Sequence, residues 1–424
     1  MTQSASILIA APSSGAGKTT VTLGLLRSLQ RRGIPVRGAK SGPDYIDPRF
    51  HEAACKTPCL NLDAWAMTPA RLQNLAAGPG LLIIEGAMGL FDGAPPEGRG
   101  SSADLAKHLG SPVILVVDAS KMAQSITPLV TGFAAHDSGV KIAGVILNRI
   151  GSPRHEATLR RALQPTGITV LGAIPRRQTL THPSRHLGLV QAQERDDLED
   201  FLDAAADLID QNCDIETLTS LNKPLIKCNI NITKTPPAQT ISIAQDRAFA
   251  FAYPHILQDW TRAGCTLHTF SPLADEPVPP CDFLFLPGGY PELYAGQLSA
   301  AQVTLSSIAQ HAQSNPVYGE CGGYMMLGQG LIDANGKRHQ MTGLLKLETS
   351  FAIRKLHLGY RKISATSGPM QGAWTAHEFH YATTVKATGT PLFQARDAAG
   401  AALPGMGLRE GNASGSFAHI IDTA

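Results

Sequence analysis

The sequence predicts an α/β protein built as two successive units, and three observations carry that expectation. Short apolar runs of strand type alternate with helical stretches over residues 6–210. From 211 to 243 the texture changes to Asn, Thr, Ile and Pro, as in Ile230-Asn231-Ile232-Thr233-Lys234-Thr235-Pro236-Pro237. A second strand–helix alternation then follows to the end of the chain. At 424 residues the chain exceeds one ordinary domain. The expected division is therefore residues 1–210, a linker over 211–243, and residues 244–424.

In the first unit the expected strands are residues 7–10, 81–85, 112–118, 142–148 and 168–174. They lack strict polar alternation, as strands covered on both faces do. The stretch 19–32 has helical periodicity and stops at Gly33. Such repetition predicts a parallel sheet with right-handed crossovers. The second unit is expected to open at 247–253, with further strands at 266–270, 283–286, 317–320 and 343–347.

Between the first strand and the first helix lies Ser13-Ser14-Gly15-Ala16-Gly17-Lys18-Thr19-Thr20. Small residues there let backbone N–H groups converge on phosphate oxygens at a helix N-terminus. Ser14, Gly15, Ala16, Gly17, Lys18, Thr19 and Thr20 form the candidate nucleotide cradle. Lys18 would reach the terminal phosphates and the Thr19 hydroxyl would ligate Mg²⁺. Pro12 stands where such loops usually carry their first glycine, so the loop is a variant.

Carboxylates follow in three places. Glu85 ends an apolar strand, at the edge of the sheet where ligands bind. Asp92 lies in the glycine-rich run Gly86-Ala87-Met88-Gly89-Leu90-Phe91-Asp92-Gly93, and Asp44 and Asp47 lie in Gly42-Pro43-Asp44-Tyr45-Ile46-Asp47-Pro48. Together they suggest metal binding, through Thr19, Asp44 and Glu85, and handling of a phosphorylated intermediate. Taken singly, each acid could equally be a turn-former or helix cap. Asn148, at a strand end, could read the nucleotide base or simply end the strand.

Downstream, Pro316-Val317-Tyr318-Gly319-Glu320-Cys321-Gly322-Gly323-Tyr324 reads as a strand delivering Cys321 onto a tight turn. Small neighbours permit that sharp turn, and a helix N-terminus favours the thiolate. The glycines of Leu286-Pro287-Gly288-Gly289-Tyr290 supply backbone N–H groups that, with that of Gly322, could form an oxyanion hole. His419 is the candidate base. A loop that spends ATP and a thiol that opens amides, on one chain, predict a glutamine-dependent amide ligase.

Composition excludes other classes. A net charge of +2 without a dense Lys/Arg block argues against a nucleic-acid surface. The apolar run at 7–10 is too short for a membrane span and no cleavage pattern precedes it. Seven cysteines without a regular framework fit a reducing cytoplasm, and the pair Cys55 and Cys59 lacks partners for a zinc site.

The motifs at 42–48 and 85–93, together with Ser184-Arg185-His186-Leu187-Gly188-Leu189, those at 287–291 and 319–324, and His377-Glu378-Phe379-His380-Tyr381, resemble the cobyrinic and hydrogenobyrinic acid a,c-diamide synthases. The resemblance spans nearly the whole chain, and the run 88–93 favours this family over cobyric acid synthase. It implies a dethiobiotin-synthetase-like ATP domain followed by a class I glutamine amidotransferase domain, using ATP, Mg²⁺ and glutamine on a corrinoid carboxylate. Asp44, Tyr45, Glu85 and Asp92 would lie at the Mg·ATP and carboxylate site. Cys321 would be the nucleophile and His419 its base. Many glutamine amidotransferases carry a carboxylate two residues after that histidine. Ile421 occupies that position here, so a Cys–His dyad is expected. Arg185, His186, Arg361, His377 and His380 are candidate partners for the polyanionic macrocycle, or else surface and structural residues. A homodimer is compatible with the sequence. Two rivals remain: a nickel-sirohydrochlorin diamide synthase, and a partition-type ATPase switch, which would want a lysine where Ser13 and Ser14 stand.

Overall fold

A computed structural model describes residues 4–176, 184–185, 188–189, 191–226 and 234–424. By its internal contacts the chain divides into Met1–Ile232 and Thr233–Ala424.

The first unit is a sheet of β1 (Ala5–Ala10), β2 (Val36–Ser41), β3 (Leu60–Leu62), β4 (Leu81–Glu85), β5 (Val113–Asp118), β6 (Ile142–Ile150) and β7 (Val170–Pro175). Their order is β3-β2-β4-β1-β5-β6-β7, and every neighbouring pair is parallel. Consecutive residues Ile7, Leu8 and Ile9 are all buried, as are Ile83 and Ile84, which is why these strands show no polar alternation. α1 (Lys18–Arg31) follows β1, and α2 (Asp47–Cys55) follows β2. Because the strands run parallel, the loops after β1, β2 and β4 and the end of β6 open on one edge of the sheet.

β2 and β3 escape the sequence expectations. Arg37, Gly38 and Lys40 break the apolar run of β2, and β3 is three residues long. The expected linker over 211–243 is corrected as well. The helix Leu198–Asn212 runs into it and the helix Ile215–Ser220 follows, with Ile215 and Leu218 in the first unit's core. Lys223–Pro224 then pairs antiparallel with Ser6 and Ala5. Buried Ile and Leu side chains, not the Asn/Thr texture, decide where this unit ends.

The second unit opens with the strand Thr240–Ala244 rather than at 247–253, where Phe251 only bridges to Gly288. Its main sheet is ordered Thr266–Phe270, Thr240–Ala244, Phe283–Leu286, Val317–Glu320, Ala413–Ser416 and Leu408–Glu410. All neighbours are parallel except the last pair. A five-stranded antiparallel sheet includes His357–Ala365, Gly372–His380 and Ala418–Thr423. A smaller sheet contains Leu347–Ser350, which displaces the strand expected at 343–347. The chain leaves the parallel sheet at Ser416 and enters the antiparallel one at Ala418, with Phe417 as the joint. Among the described residues no helix is long and apolar enough to cross a membrane.

Candidate active sites

The phosphate loop keeps the conformation that its small residues permit. Gly15 and Gly17 have φ of 79° and 96°, in the left-handed region, and Gly17 is the N-cap of α1. A β-carbon at Gly17 would lie 2.2 Å from Asn148 Nδ2. That amide donates to Ala16 O at 2.8 Å, so Asn148 braces the loop from β6. Arg149 adds a second brace, donating to Gly15 O at 2.8 Å while paired with Asp118. Ser14 and Gly15 are exposed and Thr20 is half-buried.

Lys18 crosses from this loop to the one after β4, donating to Met88 O. Burial lowers its pKa, and Glu85 opposes that shift. Asp92 caps its own loop, its Oδ2 accepting from Gly89 N at 2.8 Å, and lies within electrostatic reach of Lys18.

Glu85 is the centre of the cluster and is 1 % exposed. Its Oε1 accepts from Thr19 Oγ1 at 2.7 Å and from Lys40 Nζ at 2.8 Å, and its Oε2 lies 2.7 Å from His51 Nε2. Lys40 also holds Asp47 Oδ2 at 2.6 Å. Burial alone would raise the Glu85 pKa, but Lys40 and His51 together hold it well below the usual carboxylate range. The Asp44 side chain accepts from Ile46 N and Asp47 N at 2.7 and 3.2 Å, with Tyr45 in the turn between. Burial and then the Asp47 charge push Asp44 up to about 6.

Asp44, Asp47 and Glu85 thus set three carboxyl groups around the Lys40 ammonium. This oxygen-rich surplus of negative charge, with the Thr19 hydroxyl at its edge, has the donor chemistry of a hard divalent cation. Lys40 and His51 were not anticipated from sequence. A lysine inside a strand and a histidine inside a helix carry no motif.

The thiol site is assembled from the second unit's strand ends. Cys321 has φ 46° and ψ −100°, between the strand Val317–Glu320 and the helix Gly322–Leu327. The turn is locked by Cys321 N to Ser416 O at 2.8 Å and Gly323 N to Pro287 O at 3.1 Å. A β-carbon on Gly288 would meet His419 Cε1 at 2.3 Å and Cys321 Cβ at 3.3 Å, so glycine there lets thiol and imidazole converge. One on Gly322 would lie 3.1 Å from Gly289 N, which brings the expected oxyanion-hole backbones together. Burial pushes the thiol pKa well up, with Glu292 adding to it, so the resting group is the neutral thiol. Burial, then His377 and His380, bring His419 down to about 3. Glu320, directly before the cysteine, places Oε2 3.7 Å from His419 Nδ1.

Two family models match these two halves. The CobQ/CobB/MinD/ParA nucleotide binding domain matches residues 7–190, and the CobB/CobQ-like glutamine amidotransferase domain matches residues 240–423. The chain is 52% identical to the hydrogenobyrinate a,c-diamide synthase of Brucella anthropi, over 98% of each chain. The chain belongs to the hydrogenobyrinate a,c-diamide synthase family. Relatives with the same name from Rhizobium meliloti and Rhodobacter capsulatus are 50% and 49% identical, each over 98% of this chain and at least 98% of their own.

Against that family membership, the His377–Tyr381 motif shows how the remaining candidates are used. His377 stands opposite His419 across neighbouring strands. Burial, then Arg361, lowers its pKa to about 4. Arg361 pairs with Glu378 at 2.8 Å, and His380 Nε2 lies 3.0 Å from the other carboxylate oxygen. The His380 ring stacks on Phe417 at 3.8 Å, tying this network to the joint between the sheets. His357, Glu378 and His380 bring ligand atoms within 4.8 Å of one another. Arg361 already pairs with that carboxylate, which holds Glu378 in an ion network. Arg185 lies in the two-residue strand Ser184–Arg185, and His186 lies outside the described residues.

Proposed function

We propose that this chain uses ATP and glutamine to convert the a and c acetate carboxylates of hydrogenobyrinic or cobyrinic acid to amides. The observation that carries the reading is the pairing of two sites on one chain. The Thr19–Glu85–Lys40 cluster lies beside a phosphate loop, and Cys321 and His419 converge over Gly288. Full-length relatives carry the corresponding name.

In the first unit, Lys18 and the loop N–H groups hold the triphosphate, and a substrate carboxylate oxygen attacks the terminal phosphorus, giving an acyl phosphate and ADP. Thr19, Asp44 and Glu85 would hold Mg²⁺, which supplies charge neutralisation on the phosphates. In the second unit, His419 takes the Cys321 proton and the thiolate attacks the glutamine side-chain amide. Backbone N–H groups near Gly288, Gly289 and Gly322 receive the oxyanion. Ammonia leaves, water hydrolyses the thioester to glutamate, and ammonia displaces phosphate from the acyl phosphate.

Mass spectrometry of products from candidate tetrapyrroles tests this reading. The expected product carries two amides, with one-amide material appearing first. Four or more amides would point to cobyric acid synthase chemistry, and turnover of sirohydrochlorin alone would move the chain to the nickel branch. Cys321→Ala should lose glutamine-dependent synthesis and keep synthesis with ammonium.

A further inference from the structure

We infer that Glu320 is the third member of the thiol site, a positioning residue that holds His419 Nδ1–H and leaves Nε2 to take the Cys321 proton. The inference rests on the glutaminase reading above and deepens it.

In an ordinary strand two consecutive residues face opposite ways. The chain leaves the extended conformation at Cys321, with φ 46°, so Glu320 and Cys321 both border the same imidazole. Glu320 is 4 % exposed. Its Oε1 accepts the Ile420 backbone N–H at 3.1 Å, on the residue after His419, which fixes the carboxylate against that strand. Its Oε2 points at Nδ1 from 3.7 Å, a loose contact of the kind that tightens when substrate binds.

The rival carboxylate, Glu378, is committed to Arg361 and His380. An acid two residues after the histidine is absent because Ile421 stands there. A buried carboxylate beside the ring fixes the tautomer and stabilises the imidazolium formed when the thiol gives up its proton.

Several other groups face this pair. Tyr318 lies on the same strand, within electrostatic reach of Glu320, with Ser416 beside it. His377, Glu378 and His380 approach from the neighbouring strand, and Glu292 lies near the thiol. Burial raises the Glu320 carboxyl to about 8. The ionised form is therefore reached on the alkaline side, and glutamine hydrolysis should climb through that region.

Glu320→Gln keeps an oxygen for Ile420 N–H and removes the charge. Glutaminase kcat should fall roughly 100-fold, the low end for acid–base assistance, with KM for glutamine unchanged. The alkaline rise should disappear, and Glu320→Asp should restore part of both. A Gln variant with wild-type kcat and pH profile would overturn the assignment. If that variant does not fold, the wild type decides through the ¹⁵N resonances of His419 above the alkaline transition. The Nδ1–H tautomer is expected there, and Nε2–H would refute the role. Absence of glutaminase in the wild type would instead bring down the ligase reading itself.

Discussion

Glu85→Gln is the most discriminating perturbation of the first unit. The carboxylate is 1 % exposed and meets Thr19, Lys40 and His51 at 2.7, 2.8 and 2.7 Å. Glutamine keeps one carbonyl oxygen but turns an N–H₂ donor toward a neighbour that also donates. Removing one partner of a buried ion pair costs about 3–5 kcal/mol. Lys40 retains Asp47 at 2.6 Å, so the lower part of that range applies, about 3–4 kcal/mol. Urea unfolding followed by a probe in the first unit should show its midpoint lowered by roughly 1–2 M. The pH dependence has a definite sign. The folded pKa lies below the ordinary 4.5, so the carboxylate contributes stability above that pH and loses it as acid titrates the group in the folded state. Amide synthesis should fail with either glutamine or ammonium, because activation precedes amidation in both routes. A variant with an unchanged midpoint and intact ammonium-driven synthesis would refute the reasoning.

Four further outcomes are expected. Lys18→Ala should lose at least ~100-fold with either nitrogen source, the scale of one preorganised electrostatic group. With the wild type, substrate labelled with ¹⁸O in its carboxylates should pass label into released phosphate, and phosphate without label would refute the acyl phosphate. Gly288→Ala should abolish glutaminase while sparing ammonium-driven synthesis, because its methyl would lie 2.3 Å from His419 Cε1, and normal glutamine turnover would contradict that packing. Chelation of divalent cations should stop phosphate release and leave glutamine hydrolysis running, a split readable by separate phosphate and glutamate assays.

What the sequence disclosed follows from which signals are local. The phosphate loop, Glu85 at a strand end and Cys321 on its turn each carry their context within a few neighbouring residues. Lys40 and His51 do not. They become functional candidates only because β2 and α2 bring them to Glu85, across 45 and 34 residues of chain. Glu320 was hidden differently. Strand alternation sends it away from Cys321, and only the backbone turn at residue 321 brings both to His419. The antiparallel sheet around Gly372–His380 was also illegible, since its strands mix charged and small residues. The change of texture after residue 211 proved compositional, because Ile215 and Leu218 remain buried in the first unit.

The left-handed backbone at Cys321 bears on endurance as well as on catalysis. A non-glycine residue with φ 46° and ψ −100° is held there against its preference, at about 1–3 kcal/mol. Cys321→Gly would relax that kink, whereas Cys321→Ala would keep it. The glycine variant should resist heat better than the alanine variant by roughly 1–2 kcal/mol, after its larger unfolded-state entropy is allowed for. Both would still draw on dissolved ammonium. Where ammonium is plentiful, then, the sturdier form of this ligase is one that has surrendered its own nitrogen supply. Thermal endurance and nitrogen autonomy pull against each other at a single peptide unit.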